Sequence, residues 1–480
     1  MLDRAGAVCE HAPRLMAPAP TSSPREPARA LPDWLRRVSP EARAAIGVFA
    51  LALVVRVLWV AWVDSPYDNI FSDMGGYINR AKQAAYGAGD PAPIFVAFYP
   101  PGTHLIYAAQ MRLVGWAHHA PFLLLHCAWG AVVAPCATLL ALRIVPRLPV
   151  AVAIGVLVAV WEPLLSFTGY FSSEQPDAGL LALSAWLLVR QIEGKRSGVA
   201  LGVVTALAYL VRPQIALTVA GLGIVWAVGT AQRRPWARPR WTQLVVATAL
   251  LASAVAFGAG RYHALSGRRG LISDNSALAR LFADTNYGTV KALASDPDGK
   301  PIGEFFFAPP SKVQTGERRE LYFHGYLGDP VILDRARRDE VARMTLGDRI
   351  GRWGSNVSLL FVHNTLWPED GHVGGVPWRS ATYDASRAAL LALVCPLSLL
   401  GLLACARRPT ATLVVVAAHV LTMLVTAAFF CGELRYRVPY DVFLILLALE
   451  GARWAAPGVA RWLSTPGAAV ASSSPPCSEP

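Results

Sequence analysis

The sequence predicts an all-α polytopic membrane protein, and three observations lead to this prediction. Of the 480 residues, 54% are hydrophobic and only 16% are charged, which is far more apolar than a soluble chain of this length. The apolar residues gather in runs of about 20, the length of a membrane-spanning helix. Lys and Arg gather in alternate connections between these runs, as in cytoplasmic loops. We therefore predict a bundle of about ten transmembrane helices.

Ten apolar stretches are the candidate spans, of which the fourth and fifth are short. They are 45–63, 121–142, 150–168, 177–190, 198–211, 213–230, 241–258, 388–405, 411–430 and 438–456. The basic connections place both termini on the cytoplasmic side. Two long segments, 64–120 and 259–387, then lie on the same extracytoplasmic face.

Composition divides the chain into three regions. Residues 1–44 are rich in Pro, Ala and Arg, and we predict a disordered cytoplasmic tail. They lack the apolar core of a cleavable signal peptide, so we expect the first span to serve as an uncleaved anchor. Residues 45–456 form the membrane domain, which includes the extracytoplasmic loop 259–387. Residues 457–480 are predicted to be a second disordered cytoplasmic tail.

The formal net charge of +12 does not indicate a nucleic-acid partner, because the basic clusters lie between spans and not on a soluble face interleaved with aromatic residues. The predicted partner is the lipid bilayer. Five histidines on the outer side share no metal-binding spacing, and they are His104, His263, His324, His363 and His372. No cofactor is assigned, and a divalent metal stays open.

Three aspartates follow the first span in "VDSPYDNIFSDMGGYINRAK", at positions 64, 68 and 73. Asp73 precedes Tyr77 and Arg80 on a predicted short helix. A carboxylate at this surface can take a proton from an incoming hydroxyl group. The alternative interpretation is that all three aspartates form a solvated cap on the membrane surface.

A second motif on the outer side is "AFYPPGTHLIY", which contains Tyr99, Pro100, Pro101 and His104. Proline is tolerated in the first turn of a helix, so the pair predicts a helix start. The apolar residues that follow end too soon to span a bilayer. We therefore predict a helix lying along the membrane interface.

Charged residues next to the spans give a third set of candidates. Arg435 and Arg437 flank Tyr436 in "CGELRYRVPYD", and two guanidinium groups at this border can bind a phosphate. Structural arginines whose head groups reach the interface are the alternative. Arg212 in "LVRPQ" places a charge and a proline in an apolar stretch, which predicts a neighbouring cavity or partner. Glu174 in "GYFSSEQPD" lies on the outer side.

The ordered set of these motifs resembles the GT-C superfamily of membrane glycosyltransferases, in particular family 39. That family includes the protein O-mannosyltransferases and the bacterial aminoarabinose transferase of lipid A. The resemblance covers roughly residues 45 to 230 and 411 to 456. Two positions depart from the pattern: Asp73 is followed by Met74 where the mannosyltransferases often have two adjacent acids, and Gly102 follows the proline pair where leucine is common.

The resemblance implies a GT-C type bundle and a donor sugar carried on a polyprenyl phosphate at the outer leaflet. It maps the catalytic acid onto Asp73 and brings Arg435 and Arg437 to the carrier phosphate, with Arg212 and the "YPPG" motif lining the same cavity. Nucleotide sugars are cytoplasmic, so an enzyme with outward polar loops needs a lipid-soluble donor. This physical argument favours the same reading.

The resulting hypothesis is a polyprenyl-phosphate-sugar-dependent glycosyltransferase in a bacterial inner membrane. Asp73 is the general base, and transfer to an acceptor hydroxyl proceeds with inversion. The donor phosphate is bound by Arg435, Arg437 and Arg212. The substrate pocket is formed by Tyr77, Arg80, Tyr99, Pro100, Pro101, His104, Glu174 and Tyr436. The acceptor is a lipid, a glycan or a protein.

Two alternatives to this hypothesis stay open. One is a flippase or transporter of lipid-linked sugars that performs no transfer chemistry. The other is a degenerate relative that acts as a scaffold in envelope assembly.

Overall fold

The computed structural model describes residues 38–88, 97–232, 241–285, 289–295, 300–307, 318–324, 329–362 and 377–456. The chain divides into two compact units, residues 1–43 and 44–480, and of the first only 38–43 are described. The tail predicted over 1–44 lies largely outside the described residues. The tail predicted over 457–480 lies wholly outside them.

Helices make up most of the described chain, as the sequence predicts. They are α1 (Pro40–Trp62), α2 (Ser72–Tyr86), α3 (Gly102–Val114), α4 (His119–Ala131), α5 (Val133–Ile144), α6 (Leu148–Ala159), α7 (Glu162–Ser166), α8 (Glu174–Ile192), α9 (Gly198–Val211), α10 (Ile215–Ala231), α11 (Trp241–Ser266), α12 (Asn275–Asp284), α13 (Pro330–Val341), α14 (Leu346–Ser358), α15 (Pro377–Ala389), α16 (Cys395–Arg407), α17 (Ala411–Phe429), α18 (Leu434–Arg437) and α19 (Asp441–Ala455). A π-helical segment joins α15 to α16.

Five helical segments within the described ranges are long and apolar enough to cross a membrane. They are Pro40–Trp62, His119–Ile144, Trp241–Ser266, Ala381–Arg407 and Ala411–Phe429. The protein is thus a polytopic membrane protein, and a predicted stretch corresponds to each of these segments. The predicted count of ten is not confirmed, because α9 and α10 are shorter apolar helices and α19 has only 15 residues.

The predicted span 150–168 is a bent pair of helices. Helices α6 and α7 meet at a break of 50°, so this stretch is either one broken span or a re-entrant segment. Glu162 and Pro163 open α7. Proline favours a helix start and disfavours a continuous helix through its position, which gives the physical reason for the break.

Two hydrophobic cores organise the second unit. The larger core joins the apolar helices, including α5, α8, α17 and α19. The smaller core joins α2, α3 and α12 to the β-sheet described below, through side chains such as Ile78, Met111 and Leu281. Tyr436 on α18 packs against both cores. The short helix α18 therefore lies where these two cores meet.

Three strands within the segment 259–387 form a feature that the sequence did not indicate. They are β1 (Thr289–Ser295), β2 (Pro301–Phe307) and β3 (Arg318–His324). The central strand β1 pairs antiparallel with β2 and parallel with β3. Val290, Ala292 and Ala294 are buried. Because side chains alternate between the two faces of a strand, all three point to the smaller core. The sheet thus shares the smaller core with α2, α3 and α12.

Gly102 explains one departure from the family pattern. A Cβ atom at this first residue of α3 would lie 2.4 Å from the carbonyl carbon of Leu210 and from the amide nitrogen of Val211. Any larger side chain must therefore push α3 away from the end of α9. The absence of a side chain lets the "YPPG" segment approach the backbone beside Arg212.

We expect Gly102→Ala to lower the free energy of unfolding by about 1–3 kcal/mol, the usual cost of forcing extra atoms into a packed contact. Thermal unfolding of the detergent-solubilised protein measures this effect. The matched control is Gly221→Ala in α10, where an added Cβ meets no atom within 4 Å. Equal unfolding midpoints for the two variants would contradict the steric argument.

Candidate active site

A break between two helices lets the buried Arg212 face a cavity. It ends α9 with φ −146° and ψ 119°, because the residue before a proline is driven from helical to extended backbone. Its Nε and Nη2 donate to Ser173 Oγ at 3.1 and 2.9 Å, and Nη2 also forms an ion pair with Glu174. Arg212 is 8% exposed. The sequence signal "LVRPQ" thus marks a break that presents a buried charge.

Arg435 links an early segment of the chain to a late one at the site. Its Nη1 donates to Asp73 Oδ2 at 2.8 Å, across 362 positions of sequence. Its Nε lies 3.4 Å from Glu433 Oε2 and 3.9 Å from Glu174 Oε1. Arg435 therefore lies between three carboxylates contributed by separate elements.

Asp73 is held in the first turn of α2 by both of its oxygens. The Tyr99 hydroxyl donates to Oδ1 at 2.7 Å, while Oδ2 accepts from Arg435. The preceding residue, Ser72, has φ +46°, a left-handed backbone conformation that costs a non-glycine residue about 1 kcal/mol. This conformation directs the start of α2. The Asp73 side chain remains 21% exposed, so it is accessible to a ligand.

The three aspartates of the first outer segment have different surroundings. Asp64 is buried and forms a 3.0 Å ion pair with Arg379. Asp68 is exposed. Since Asp64 and Asp73 are each ion-paired, the three residues do not share one solvated surface.

Six ionisable groups form what we call the inner cluster. They are Arg212, Arg435, Asp73, Glu174, Asp177 and Glu433. Tyr436 separates the two arginines, with each guanidinium carbon 5.2 Å from the centre of its ring. Four acids thus surround two guanidinium groups, and without a ligand the acids more than neutralise the arginines.

Burial raises the pKa of Glu433 from 4.5 to about 8, an effect that Arg435 opposes and that Glu174 and Asp73 reinforce. Glu433 is therefore mostly protonated at neutral pH, which removes one negative charge from the inner cluster. A protonated carboxyl also needs no cationic partner of its own.

This shift predicts how stability depends on pH. Because folding favours protonated Glu433, its stabilising contribution is full below the unfolded-state pKa and is lost as pH rises through about 8. We expect the unfolding midpoint of the wild-type protein to fall between about pH 7 and about pH 9, and that of Glu433→Gln to fall less. Thermal unfolding at the two pH values measures the difference. Parallel changes in both proteins would contradict the assignment.

A cavity of about 920 Å³ opens beside the inner cluster. Five of the sequence-predicted residues line it: Tyr77, Pro100, Arg212, Arg435 and Tyr436. Asp73, Tyr99 and Glu174 do not line it. Asp73 contacts the lining residue Arg435, Glu174 contacts the lining residue Arg212, and the Tyr99 hydroxyl donates to Asp73. The structure therefore brings eight of the predicted residues together at one end of the cavity.

Unpaired polar atoms line the wall of the cavity between α9, α10 and α17. Among the described residues, the Tyr209 hydroxyl, Gln214 Oε1 and Thr426 Oγ1 are buried atoms without a hydrogen-bond partner. Leaving such groups unsatisfied costs about 1–3 kcal/mol each. A ligand that carries hydroxyl groups can supply the missing partners.

Four other predicted residues have supporting positions. Arg80 lies over the Tyr99 ring, 5.0 Å from its centre, and donates to Gly76 O at 3.0 Å. Pro101 caps the start of α3. His104 is buried, and burial, with Arg261 and Arg80 nearby, lowers the pKa of His104 to about 3. His104 is therefore neutral and packs behind the cavity wall.

Arg437 is the fourth, and the structure separates it from Arg435. It is 2% exposed, with Nε donating to Asp441 Oδ1 at 2.9 Å and Nη1 to Leu360 O at 2.9 Å. Arg437 is not among the residues that line the cavity. Residues two positions apart on a helical turn point to different sides, so a shared clamp of both arginines is not formed.

Sequence reasoning missed several lining or clustered residues. Asp177 follows Glu174 by three positions on α8, a spacing that puts both carboxylates on one face and could have been used. Ser173 lies in the same motif. The lining residues between positions 259 and 387 come from separate segments, so no spacing in the sequence identifies them.

The described residues contain no group of three or more His, Cys, Asp or Glu side chains arranged to hold a metal ion. His363 and His372, two of the outer histidines, lie outside the described residues. The inner cluster does not present its acids as a free set, because Arg212 and Arg435 contact them.

Comparisons with known proteins give a distant likeness. No family model matches the chain, and no curated protein matches it. A solved structure of the archaeal oligosaccharyltransferase AglB from Archaeoglobus fulgidus, in complex with an inhibitory peptide and a dolichol-phosphate, is similar, with a TM-score of 0.45 and 12% sequence identity. The match covers 87% of this chain and 51% of that protein, so the chain spans about half of its length. A likeness this distant assigns no activity.

Proposed function

We propose that the protein is a GT-C glycosyltransferase of the family 39 type that takes a sugar from a polyprenyl-phosphate carrier and transfers it to an acceptor hydroxyl. The observation that carries this proposal is the 2.8 Å ion pair between Asp73 and Arg435 at the inner end of a large cavity. A carboxylate that can accept a proton and a guanidinium group that can bind a phosphate are thus adjacent. The order of the motifs in the sequence supports the same assignment.

The carrier phosphate would bind at Arg212 and Arg435, the two guanidinium groups that line the cavity near α18. Guanidinium groups bind phosphate through charge-assisted hydrogen bonds. The proposal leaves out Arg437, because Asp441 and Leu360 already occupy its donors. The sugar hydroxyls would satisfy the unpaired atoms of Tyr209, Gln214 and Thr426 on the wall of the cavity.

The ion pair also couples donor binding to the activity of the base. Without a ligand, Arg435 occupies Oδ2 of Asp73 and so hinders proton uptake at that oxygen. A phosphate competes with the carboxylate for the same guanidinium. Once the phosphate has drawn Arg435 away, Oδ2 is available to a hydroxyl proton while Tyr99 still orients Oδ1. The base would therefore become active when the donor is bound.

The transfer is a direct displacement. The acceptor oxygen attacks the anomeric carbon, the bond between that carbon and the phosphate oxygen breaks, and the configuration inverts. Asp73 takes the hydroxyl proton, and the electron pair leaves with the polyprenyl phosphate. Arg212 and Arg435 stabilise the charge that grows on the leaving phosphate, which is where preorganised donors contribute most to rate.

We propose further that the reaction takes place on the extracytoplasmic face of a bacterial inner membrane, with both termini in the cytoplasm. The basic residues in alternate connections support this orientation. The acceptor is a lipid, a glycan or a protein hydroxyl.

The test is to incubate the purified protein with a panel of polyprenyl-phosphate sugars and a membrane extract. Mass spectrometry should detect one glycosylated product and an equal amount of released polyprenyl phosphate. A companion assay in proteoliposomes follows movement of the same lipids between leaflets. Lipid movement without product from any donor would contradict the transferase and indicate the transporter.

A further inference from the structure

The outer end of the cavity carries a second set of basic residues, which the proposed transfer chemistry does not use. We call Arg269, Arg280, Arg337 and Arg338 the outer arginines. They belong to the connection after α11, to α12 and to α13, and all four line the same cavity as Arg212 and Arg435. Two sets of arginines thus line one continuous space.

The excess positive charge of the cavity lies at its outer end. Of the six arginines that line the cavity, Arg212 and Arg435 are neutralised by the acids of the inner cluster, and the other four face two lining acids, Asp274 and Asp334. Asp274 accepts a hydrogen bond from the Tyr262 hydroxyl, and Asp334 lies 3.1 Å from Arg280. The lining therefore favours a ligand that brings negative charge.

The outer arginines differ in how far their charges are compensated. Arg337 forms a 2.5 Å ion pair with Asp284, and Arg280 is paired with Asp334. Within the part of the chain that the structure describes, Arg269 and Arg338 have no carboxylate within ion-pair distance. Arg338 Nε donates only to the backbone carbonyl oxygen of Asp334, at 3.3 Å. An anion can bind these two cations without displacing a carboxylate, whereas a phosphate at Arg212 or Arg435 must compete with the carboxylates of the inner cluster.

The cavity extends beyond the inner cluster. Its volume of about 920 Å³ lies at the upper end of the range of about 300–1,000 Å³ for small-ligand pockets, and its lining reaches from Arg435 to Arg269 and Arg338. The donor head group at the inner cluster would leave the outer end open. A transferase needs a second substrate within reach of the same base.

We propose that the outer end of the cavity binds an acceptor that carries a phosphate or carboxylate group near the hydroxyl to be glycosylated. Arg269 and Arg338 bind that anionic group, and the cavity directs the hydroxyl toward Asp73. This inference rests on the proposed function and narrows the acceptor to an anionic molecule. The same arginines could bind the second phosphate of a diphosphate carrier, and the experiment separates these two sources.

The experiment measures equilibrium binding of radiolabelled glucose 6-phosphate to the full chain in phosphatidylcholine nanodiscs, with glucose as the neutral probe. We expect glucose 6-phosphate to bind at least about tenfold more tightly than glucose, as charge-assisted hydrogen bonds predict. Saturating polyprenyl phosphate should change this affinity by less than about twofold, because the two anions bind at different ends.

Variants test which arginines are responsible. Arg269→Gln/Arg338→Gln should weaken glucose 6-phosphate binding by about tenfold and leave polyprenyl phosphate binding unchanged. Arg269→Lys/Arg338→Lys should recover part of the affinity, which separates lost charge from lost folding. The matched control is Arg335→Gln, an exposed arginine on α13 that does not line the cavity. It should bind as the wild-type protein does.

Three results would overturn the proposal. The first is that polyprenyl phosphate competes with glucose 6-phosphate. The second is that polyprenyl diphosphate, but not the monophosphate, excludes glucose 6-phosphate. The third is that Arg269→Gln/Arg338→Gln binds glucose 6-phosphate as tightly as the wild-type protein does. The second result would assign the outer arginines to the carrier. None of these measurements requires transfer, so a failure of the proposed chemistry is seen separately, in the product assay.

Discussion

Asp73→Asn is expected to lower the rate of sugar transfer by about 10²–10⁴-fold, the usual contribution of a general base. The amide cannot take the hydroxyl proton, but it keeps the size of the side chain and can still accept the hydrogen bond from Tyr99. Arg435 loses its carboxylate partner in this variant. Polyprenyl phosphate should therefore bind as tightly as in the wild-type protein or more tightly. Single-turnover transfer and carrier binding, measured on the same preparation, check both expectations.

Asp68→Asn is the matched control for this prediction. Asp68 belongs to the same outer segment but is exposed. Its replacement should leave transfer at the wild-type rate. If Asp73→Asn transferred the sugar at the wild-type rate, Asp73 would not be the general base. If the variant lost carrier binding and its transfer rate fell only by the same factor, Asp73 would act in ligand binding instead of proton transfer.

The sequence predicts two backbone features beside the inner cluster, because local chemistry limits the backbone there. Pro213 forces Arg212 out of the helix, and the proline pair before Gly102 starts α3. Each of these breaks exposes a polar group beside an apolar segment. Asp73 and Arg435 were predicted separately as base and phosphate ligand, and the structure joins them by an ion pair.

Features that depend on tertiary packing could not be predicted in the same way. The strand β1 reads "TVKALAS", and its burial pattern appears only when α12 covers one face. Arg269 and Arg338 are 69 positions apart by their numbering in the chain, and only the fold brings both to one cavity. The bend near Pro163 in the predicted span 150–168 is a different case, because the proline is a local signal that total apolarity does not take into account.

The prediction that Arg435 and Arg437 bind one phosphate together shows a different limit of sequence reasoning. Two arginines on either side of a tyrosine suggest a clamp only if the backbone is extended. The segment instead forms a helical turn, α18, which sends the two side chains to different sides. Arg435 reaches the cavity, and Arg437 is buried against Asp441 and Leu360. A variant of each therefore has a different expected effect.

Arg437→Gln is expected to lower the free energy of unfolding by about 3–5 kcal/mol, the usual cost of removing one partner from a buried ion pair. Asp441 is 0% exposed and would keep only the hydrogen bond from Trp161 Nε1, at 2.8 Å. The contact with Leu360 O would also be lost, which loosens the segment that follows α14. Thermal unfolding in detergent measures the loss.

The double variant Arg437→Gln/Asp441→Asn separates this structural role from ligand binding. It removes the unpaired buried charge and keeps an oxygen that can accept from Trp161, so most of the lost stability should return. Polyprenyl phosphate affinity of the folded double variant should equal that of the wild-type protein, whereas Arg435→Gln should weaken it. A stable Arg437→Gln protein that no longer binds the carrier would instead mean that Arg437 leaves Asp441 to meet the phosphate, and that both arginines act as the clamp suggested by their spacing.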